Sequence, residues 1–166
     1  MISEQVRQNY PLAAAIEEKN GDWITGETAH AGQLTLYIEP SAVIEVCRFL
    51  QTAFQCRLSG VTAVDWYPLE PRFEVVYLLH SIEQNLRIRL KCKLGGEDPW
   101  IDSVCSVWEG ANWYEREVFD LFGINFRNHP NLTRIMMPDE WEGHPLRKDF
   151  PVHGHRYSYS DDGNVL

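Results

Sequence analysis

Four histidines, His129, His144, His153 and His155, crowd the last third of the chain. Imidazole is the commonest metal ligand in proteins, so a metal centre is the first chemistry to weigh. A small metal-dependent enzyme using His129 and His144 is the enzymatic alternative. Against it, no H-E-x-x-H pair occurs. His129 and His144 each precede a proline, Pro130 and Pro145, which biases the backbone toward extended structure and suits a ring hydrogen-bonded in a fixed turn or interface. His153 and His155 read as solvent-exposed. Redox chemistry finds less support, because Cys47, Cys56, Cys92 and Cys105 are far apart and form no cluster-binding cassette. They read as reduced, mostly buried apolar side chains. Neither G-x-G-x-x-G nor G-x-x-x-x-G-K-[ST] is present, so no dinucleotide or nucleoside triphosphate has a recognisable cradle.

Two charged groupings remain. Glu115-Arg116-Glu117 with Asp120 is carboxylate-rich enough to shuttle protons. The simpler reading is electrostatic: glutamates favour a helix N-terminus, and Arg116 pairs with Asp120 one turn on. The second grouping is the stripe Arg87, Arg89, Lys91 and Lys93. Such a stripe is more often a solvated face than a docking site, yet four like charges in an acidic chain permit an acidic partner.

With 15 Lys+Arg against 24 Asp+Glu the net charge is −9, which disfavours nucleic acid as a partner. The 166 residues, 44% of them apolar, suit one domain of ordinary size. The first residues have no basic stretch leading into an apolar run, and nowhere do about 18 apolar residues follow one another. The expectation is a chain that is neither secreted nor membrane-spanning.

The positioning elements follow from periodicity. Ser3 to Lys19 is helical around Pro11, Trp23–Thr25 is a short strand, and Leu34, Leu36 and Ile38 alternate with polar neighbours. After Pro40, with Ser41 as N-cap, Val43, Val46, Cys47, Leu50 and Phe54 share one face of a helix. Cys56 to Trp66 is a strand with a bulge at Gly60, and Pro68 to Pro71 makes a turn. Phe73–His80 and Leu86–Leu94 form a hairpin whose second strand sends Leu86, Ile88, Leu90, Cys92 and Leu94 to one side. The residues from Asp102 to Glu109 fit strand and helix equally. A helix over Trp113–Phe122 follows, with Asn112 as N-cap and Gly123 as C-cap. The order α-β-β-α-β-β-β predicts an α+β fold, a two-layer α/β arrangement, over residues 1–122.

From residue 123 to 166 prolines at 130, 138, 145 and 151 punctuate the chain and no period survives. Leu132, Ile135, Met136, Met137, Trp141, Leu146 and Phe150 are too apolar for simple disorder. An extended C-terminal arm lying against something is the expected form, and the periodic part is expected to bury its apolar faces without it.

Taken together, Glu115-Arg-Glu-Val-Phe-Asp-Leu-Phe-Gly-Ile124, His129-Pro-Asn-Leu132, Arg134-Ile135, Pro138-Asp-Glu-Trp141 and Gly143-His-Pro-Leu-Arg-Lys-Asp-Phe-Pro151 resemble the thirty-kilodalton subunit family of complex I, NADH:quinone oxidoreductase. The resemblance covers Asn112 to Pro151; Thr133 stands where relatives usually carry a basic residue. It implies helices on a mixed sheet and an arm embracing the large subunit that helps form the quinone cavity. It further implies a hetero-oligomer with other peripheral-arm subunits, on the cytoplasmic face of the bacterial inner membrane or the equivalent matrix side, held to the membrane only through the complex.

The complex oxidises NADH, reduces quinone and moves ions; its flavin, iron–sulfur clusters and quinone are implied to sit in other subunits, leaving this chain non-catalytic and without a cofactor. The partner-binding residues so implied are Glu115, Arg116, Glu117, Asp120, His129, Pro130, Arg134, Trp141, Gly143, His144, Pro145, Leu146, Arg147, Lys148 and Asp149. Arg147 and Asp149 are expected to hold the arm against the partner. A sibling branch occurs in energy-converting hydrogenases and formate hydrogenlyases; the intact His129-Pro130 and Gly143-His144-Pro145 favour the quinone-linked branch.

Overall fold

Strict alternation builds a two-sided strand, and the computed structural model, which describes residues 2–151, places that strand at the centre of a sheet. Strand β5 (Leu86–Leu94) buries Ile88, Leu90, Cys92 and Leu94 while Arg87 and Lys93 stay exposed. A turn over 82–85 joins it to antiparallel β4 (Phe73–Ser81), and β3 (Cys56–Asp65) pairs with the far side of β4. On its other side β5 runs parallel to β2 (Gln33–Ile38), which pairs with β1 (Ile24–His30) at the edge. The order is β1-β2-β5-β4-β3, a mixed sheet. The register shift between Leu58 and Gly60 is the expected bulge, and it takes Ser59 out of the pairing.

Helices cover one side of this sheet. Pro11 separates α1 (Glu4–Asn9) from α2 (Pro11–Lys19), which buries Leu12, Ala13 and Ile16. In α3 (Val43–Phe54) the buried residues are Val43, Val46, Cys47 and Leu50, the i, i+3, i+4, i+7 stripe of an amphipathic helix. These side chains meet Phe73, Val75, Tyr77 and Leu79 from β4 and the inward row of β5 in one core. Truncating a fully buried residue such as Leu50 to alanine costs about 2–5 kcal/mol. Among the described residues no helix is long and apolar enough to cross a membrane.

Three local expectations give way. Ser41 is not a cap: Pro40–Ala42 forms a 3₁₀ turn that leads into α3, so its first turn is entered from backbone that is already coiled. Asn112 is not a cap either, because α4 (Ala111–Phe122) begins one residue earlier after Gly110, where the Trp108 carbonyl already accepts from the Ala111 amide. The chain beyond Gly123 adds to the ordered structure. Asn125–Arg127 (β7) pairs in parallel with Trp100–Asp102 (β6), and Ile124 and Phe126 are buried in the core. Three-residue strands are too short to show a period.

Candidate partner-binding face

Helix α4 is buried on two sides. Ala111, Glu115, Val118 and Phe122 point into the domain, whereas Asp120, also buried, points to the opposite side, where the arm crosses. The Asp120 carboxylate accepts from three successive backbone amides through Oδ2, Ile135 at 2.9 Å, Met136 at 2.8 Å and Met137 at 2.9 Å. Its Oδ1 accepts from Arg134 Nη1 at 2.5 Å. Burial opposes the charge, but these four donors outweigh it and hold the carboxyl below its ordinary range. Arg134 then reaches the Gly143 carbonyl through Nη2 at 3.1 Å, tying the arm to itself.

The expected Arg116–Asp120 pair does not form. Arg116 lies over Trp113 and donates to the carbonyls of Thr133 and Arg134, both at 3.1 Å. One turn of helix brings Arg116 within reach of Asp120, but the arm presents a better set of donors to the carboxylate and unsatisfied carbonyls to the guanidinium.

At the C-terminal end of α4, the segment from Gly143 to Arg147 caps the helix. His144 Nδ1 donates to the Asp120 carbonyl at 2.8 Å, the Leu146 amide to that of Leu121 at 3.0 Å, and Arg147 Nε to that of Phe122 at 2.6 Å. Those are carbonyls a helix end leaves unpaired. Gly123 makes the approach possible. It has φ +72°, and a Cβ there would lie 2.5 Å from His144 Cδ2 and 2.7 Å from Arg147 Nη2.

The far end of the arm is clamped by two residues outside every motif of the sequence, Asp65 and Arg72. Arg72 grips Asp65 through Nε at 2.9 Å and Nη2 at 2.8 Å, and Asp149 through Nη1 at 2.9 Å and Nη2 at 2.7 Å. The Lys148 amide donates to Asp65 Oδ2 at 2.8 Å. Burial works against the charge on Asp65, yet Arg72 and the amides of Lys148 and Tyr67 outweigh it and hold the carboxyl at about 2. A signal was present: Asp65 continues the inward phase of Val61 and Ala63, and a carboxylate there requires a buried partner. Asp149 thus pairs inside the chain, with Arg72. Arg147 lies over Phe73, 5.2 Å from the ring centroid.

At the N-terminal end of α4, Glu115 is buried and accepts from Ser103 Oγ at 2.6 Å and the Val104 amide at 2.8 Å. Burial dominates here and raises its pKa. Cys105 Sγ, Glu115 and His129 present ligand atoms within 4.8 Å of one another. Their hydrogen bonds do not fit a metal. The Asn131 amide donates to His129 Nδ1 at 3.0 Å, so the proton sits on Nε2, which lies 3.3 Å from the Asn112 carbonyl and has no lone pair to offer an ion. Burial lowers the pKa of His129 and so favours that neutral form. His129 and His144 do not converge either. They address carbonyls eight residues apart on α4, about 12 Å along the axis. His153 and His155 lie outside the described residues.

The remaining candidates face outward. Glu117, Pro130 and the Lys148 side chain are exposed, and Pro145 is half-buried. Trp141 stacks on Phe150 at 6.3 Å, and its Nε1 is buried without an acceptor among the described residues. Trp113 (61% exposed), Tyr114, Met136 (60%) and Leu146 (51%) leave large apolar surfaces along the outside of α4 and the arm.

Comparison with known proteins matches this architecture. Residues 36–156 match the family described as respiratory-chain NADH dehydrogenase, 30 Kd subunit. The C subunit of the NADH-quinone oxidoreductase of Geobacter sulfurreducens is 45% identical over 89% of this chain and 92% of its own. Its counterpart in Roseiflexus sp. is 46% identical over 79% and 77%. Among solved structures, the trypsin-resistant fragment of Nqo5 superposes with a TM-score of 0.65 at 28% identity, over 73% of this chain and 98% of the fragment. A chain of an archaeal membrane-bound sulfane sulfur reductase shares the fold, with a TM-score of 0.76 at 23% identity over 95% of this chain and 99% of that one. The fold, the ordered motifs around α4 and these relatives agree: the chain belongs to the 30 Kd subunit family of the respiratory-chain NADH dehydrogenase, the family of the C subunits of NADH-quinone oxidoreductase.

Proposed function

We propose that this chain is a non-catalytic scaffold of the peripheral part of an ion-translocating NADH:quinone oxidoreductase, docking through α4 and its arm onto the large subunit that forms the quinone cavity. One observation carries the reading. The buried Asp120, Asp65 and Arg72 and the half-buried Arg134 and Arg147 all bind groups of this same chain, while the apolar side chains of Trp113, Tyr114, Met136 and Leu146 stay uncovered. Fixed polar contacts beneath and exposed apolar groups above describe a preformed docking surface. The chain would meet the membrane only through the complex, on its cytoplasmic face, and the flavin, clusters and quinone would belong to other subunits.

The test is Leu146→Asp in the native membrane complex, since the exposed Leu146 side chain is not needed by the fold. The amount of assembled complex should fall at least several-fold, with NADH:quinone activity per assembled complex near normal. Full assembly with abolished turnover would place this face in the quinone or proton pathway. Co-purification of a nickel–iron large subunit would move the chain to the hydrogenase branch.

A further inference from the structure

The basic stripe of β5 divides into two halves with different surroundings. In the half nearer the end of the strand, Lys91 pairs with the buried Glu74 at 2.6 Å, and Lys91 and Lys93 both lie over the Tyr37 ring. Those charges have partners within the chain. In the half next to the hairpin, Arg57, His80 and Arg87 stand side by side across three strands, with Leu78 beside Arg89. Among the described residues no carboxylate lies within ion-pair distance of Arg57, Arg87 or Arg89. The Arg89 guanidinium donates to the neutral Gln33 amide oxygen, which among the described residues leaves its charge uncompensated. The nearby Glu83 is exposed in the hairpin turn and makes no ion pair among the described residues.

In a chain with nine more carboxylates than basic groups, three neighbouring arginines without a carboxylate are an unusual arrangement. Two of them, Arg87 and Arg89, line a half-open cleft of about 450 Å³ together with Ser59, Leu78 and His80 among others, and Arg57 stands beside His80 on the neighbouring strand. The bulge at Ser59 lowers one wall, and Leu78, 40% exposed, forms an apolar floor. His80 Nε2 is buried without a hydrogen-bond partner among the described residues.

We propose that this cleft docks an acidic peptide segment of a neighbouring subunit, carboxylates on the arginines and an apolar side chain on Leu78. Planar guanidinium groups bind carboxylates through two parallel donors. The cleft volume suits a few side chains rather than a whole domain face. A second copy of this chain is disfavoured as the occupant, because two molecules of net charge −9 repel one another. The site lies apart from the described part of the arm: His80 is seven residues along β4 from Phe73, against which Arg147 lies, roughly 23 Å at the rise of a strand.

The test uses the purified full chain and a fluorescein-labelled hexaglutamate peptide. Binding should weaken at least tenfold in Arg87→Glu/Arg89→Glu and clearly in the milder Arg87→Gln/Arg89→Gln, while Lys93→Gln changes it less than threefold. Leu146→Asp should leave it unchanged, so failure of the docking reading for α4 and failure of this one are distinguishable. Equal binding by the arginine variants would overturn the proposal. Displacement of the peptide by inorganic phosphate at an ionic strength where sodium chloride does not displace it would make this a small-anion site. Arginine-dependent sedimentation with phosphatidylglycerol vesicles, without peptide binding, would make it a membrane contact. In the native complex, p-benzoylphenylalanine at position 78 should crosslink to an Asp/Glu-rich segment of another subunit; a crosslink to lipid, to this chain, or to nothing overturns the assignment.

Discussion

Arg72 and Asp149 meet in a two-pronged ion pair, at 2.9 and 2.7 Å, although 77 residues separate them in the chain. The same guanidinium holds Asp65, so one buried cation fixes both the end of β3 and the end of the arm. The described part of the arm, as far as residue 151, is therefore tied to the sheet by contacts within the chain.

The two carboxylates are not equivalent. The Asp65 side chain is 2% exposed and that of Asp149 is 42%. Arg72→Ala leaves Asp65 buried without its cation and should cost about 3–5 kcal/mol. Asp149→Ala should cost about 1 kcal/mol or less, because water competes for that bond. Urea denaturation of both variants checks this; equal losses would show that Asp65 does not depend on Arg72.

Gly123 and Gly32 have nearly the same backbone angle, φ +72° and +73°, but only Gly123 faces side chains. Gly32→Ala should cost about 1 kcal/mol, the backbone term alone. Gly123→Ala carries that cost and must also push His144 and Arg147 off the end of α4, so it should lose more stability and expose the arm to protease. Limited proteolysis of the two variants reads the difference, and identical profiles would mean the cap is not sensitive to this contact.

Acid should act on the clamps before the core. Asp65 and Asp120 titrate below their ordinary value of 3.8, Asp65 at about 2. The stability they contribute is fully present above the unfolded value and is lost as pH falls through the folded one. Asp120→Asn should therefore reduce the acid dependence as pH falls below the ordinary carboxylate value of 3.8. Glu115 has the opposite sign. Its pKa lies above the ordinary 4.5, so the folded state loses stability as pH rises from there through the folded value. Glu115→Gln should gain on the wild type at neutral pH and show no such gain at pH 3. Denaturant titrations across this range decide it; a variant that is weaker at every pH would mean that the Ser103 and Val104 hydrogen bonds outweigh the burial of charge.

Much of this molecule follows from local rules. Alternation in Leu86–Leu94, the helical stripe of Val43 to Leu50 and the interruption at Gly60 each express a constraint between residues a few positions apart, and each reappears in the structure. The density of motifs from Glu115 to Pro151 likewise pointed to the family and to the stretch of chain that carries the α4–arm contacts.

What those residues do was a different matter. Arg116 and Asp120 are a turn apart, and local reasoning pairs them; the folded chain gives Asp120 to Arg134 and three amides, and Arg116 to carbonyls of the arm. Arg147 caps α4 and Asp149 completes the Arg72 clamp, contacts within the chain that local reasoning did not supply. A buried charge takes whichever donors surround it most completely, and that depends on where distant segments come to rest. Composition and periodicity determined the two layers and the phase of β2 and β5, because those depend on neighbours along the chain. Only the tertiary structure decided which side of α4 the arm crosses, and hence which polar groups turn inward and which apolar groups remain uncovered.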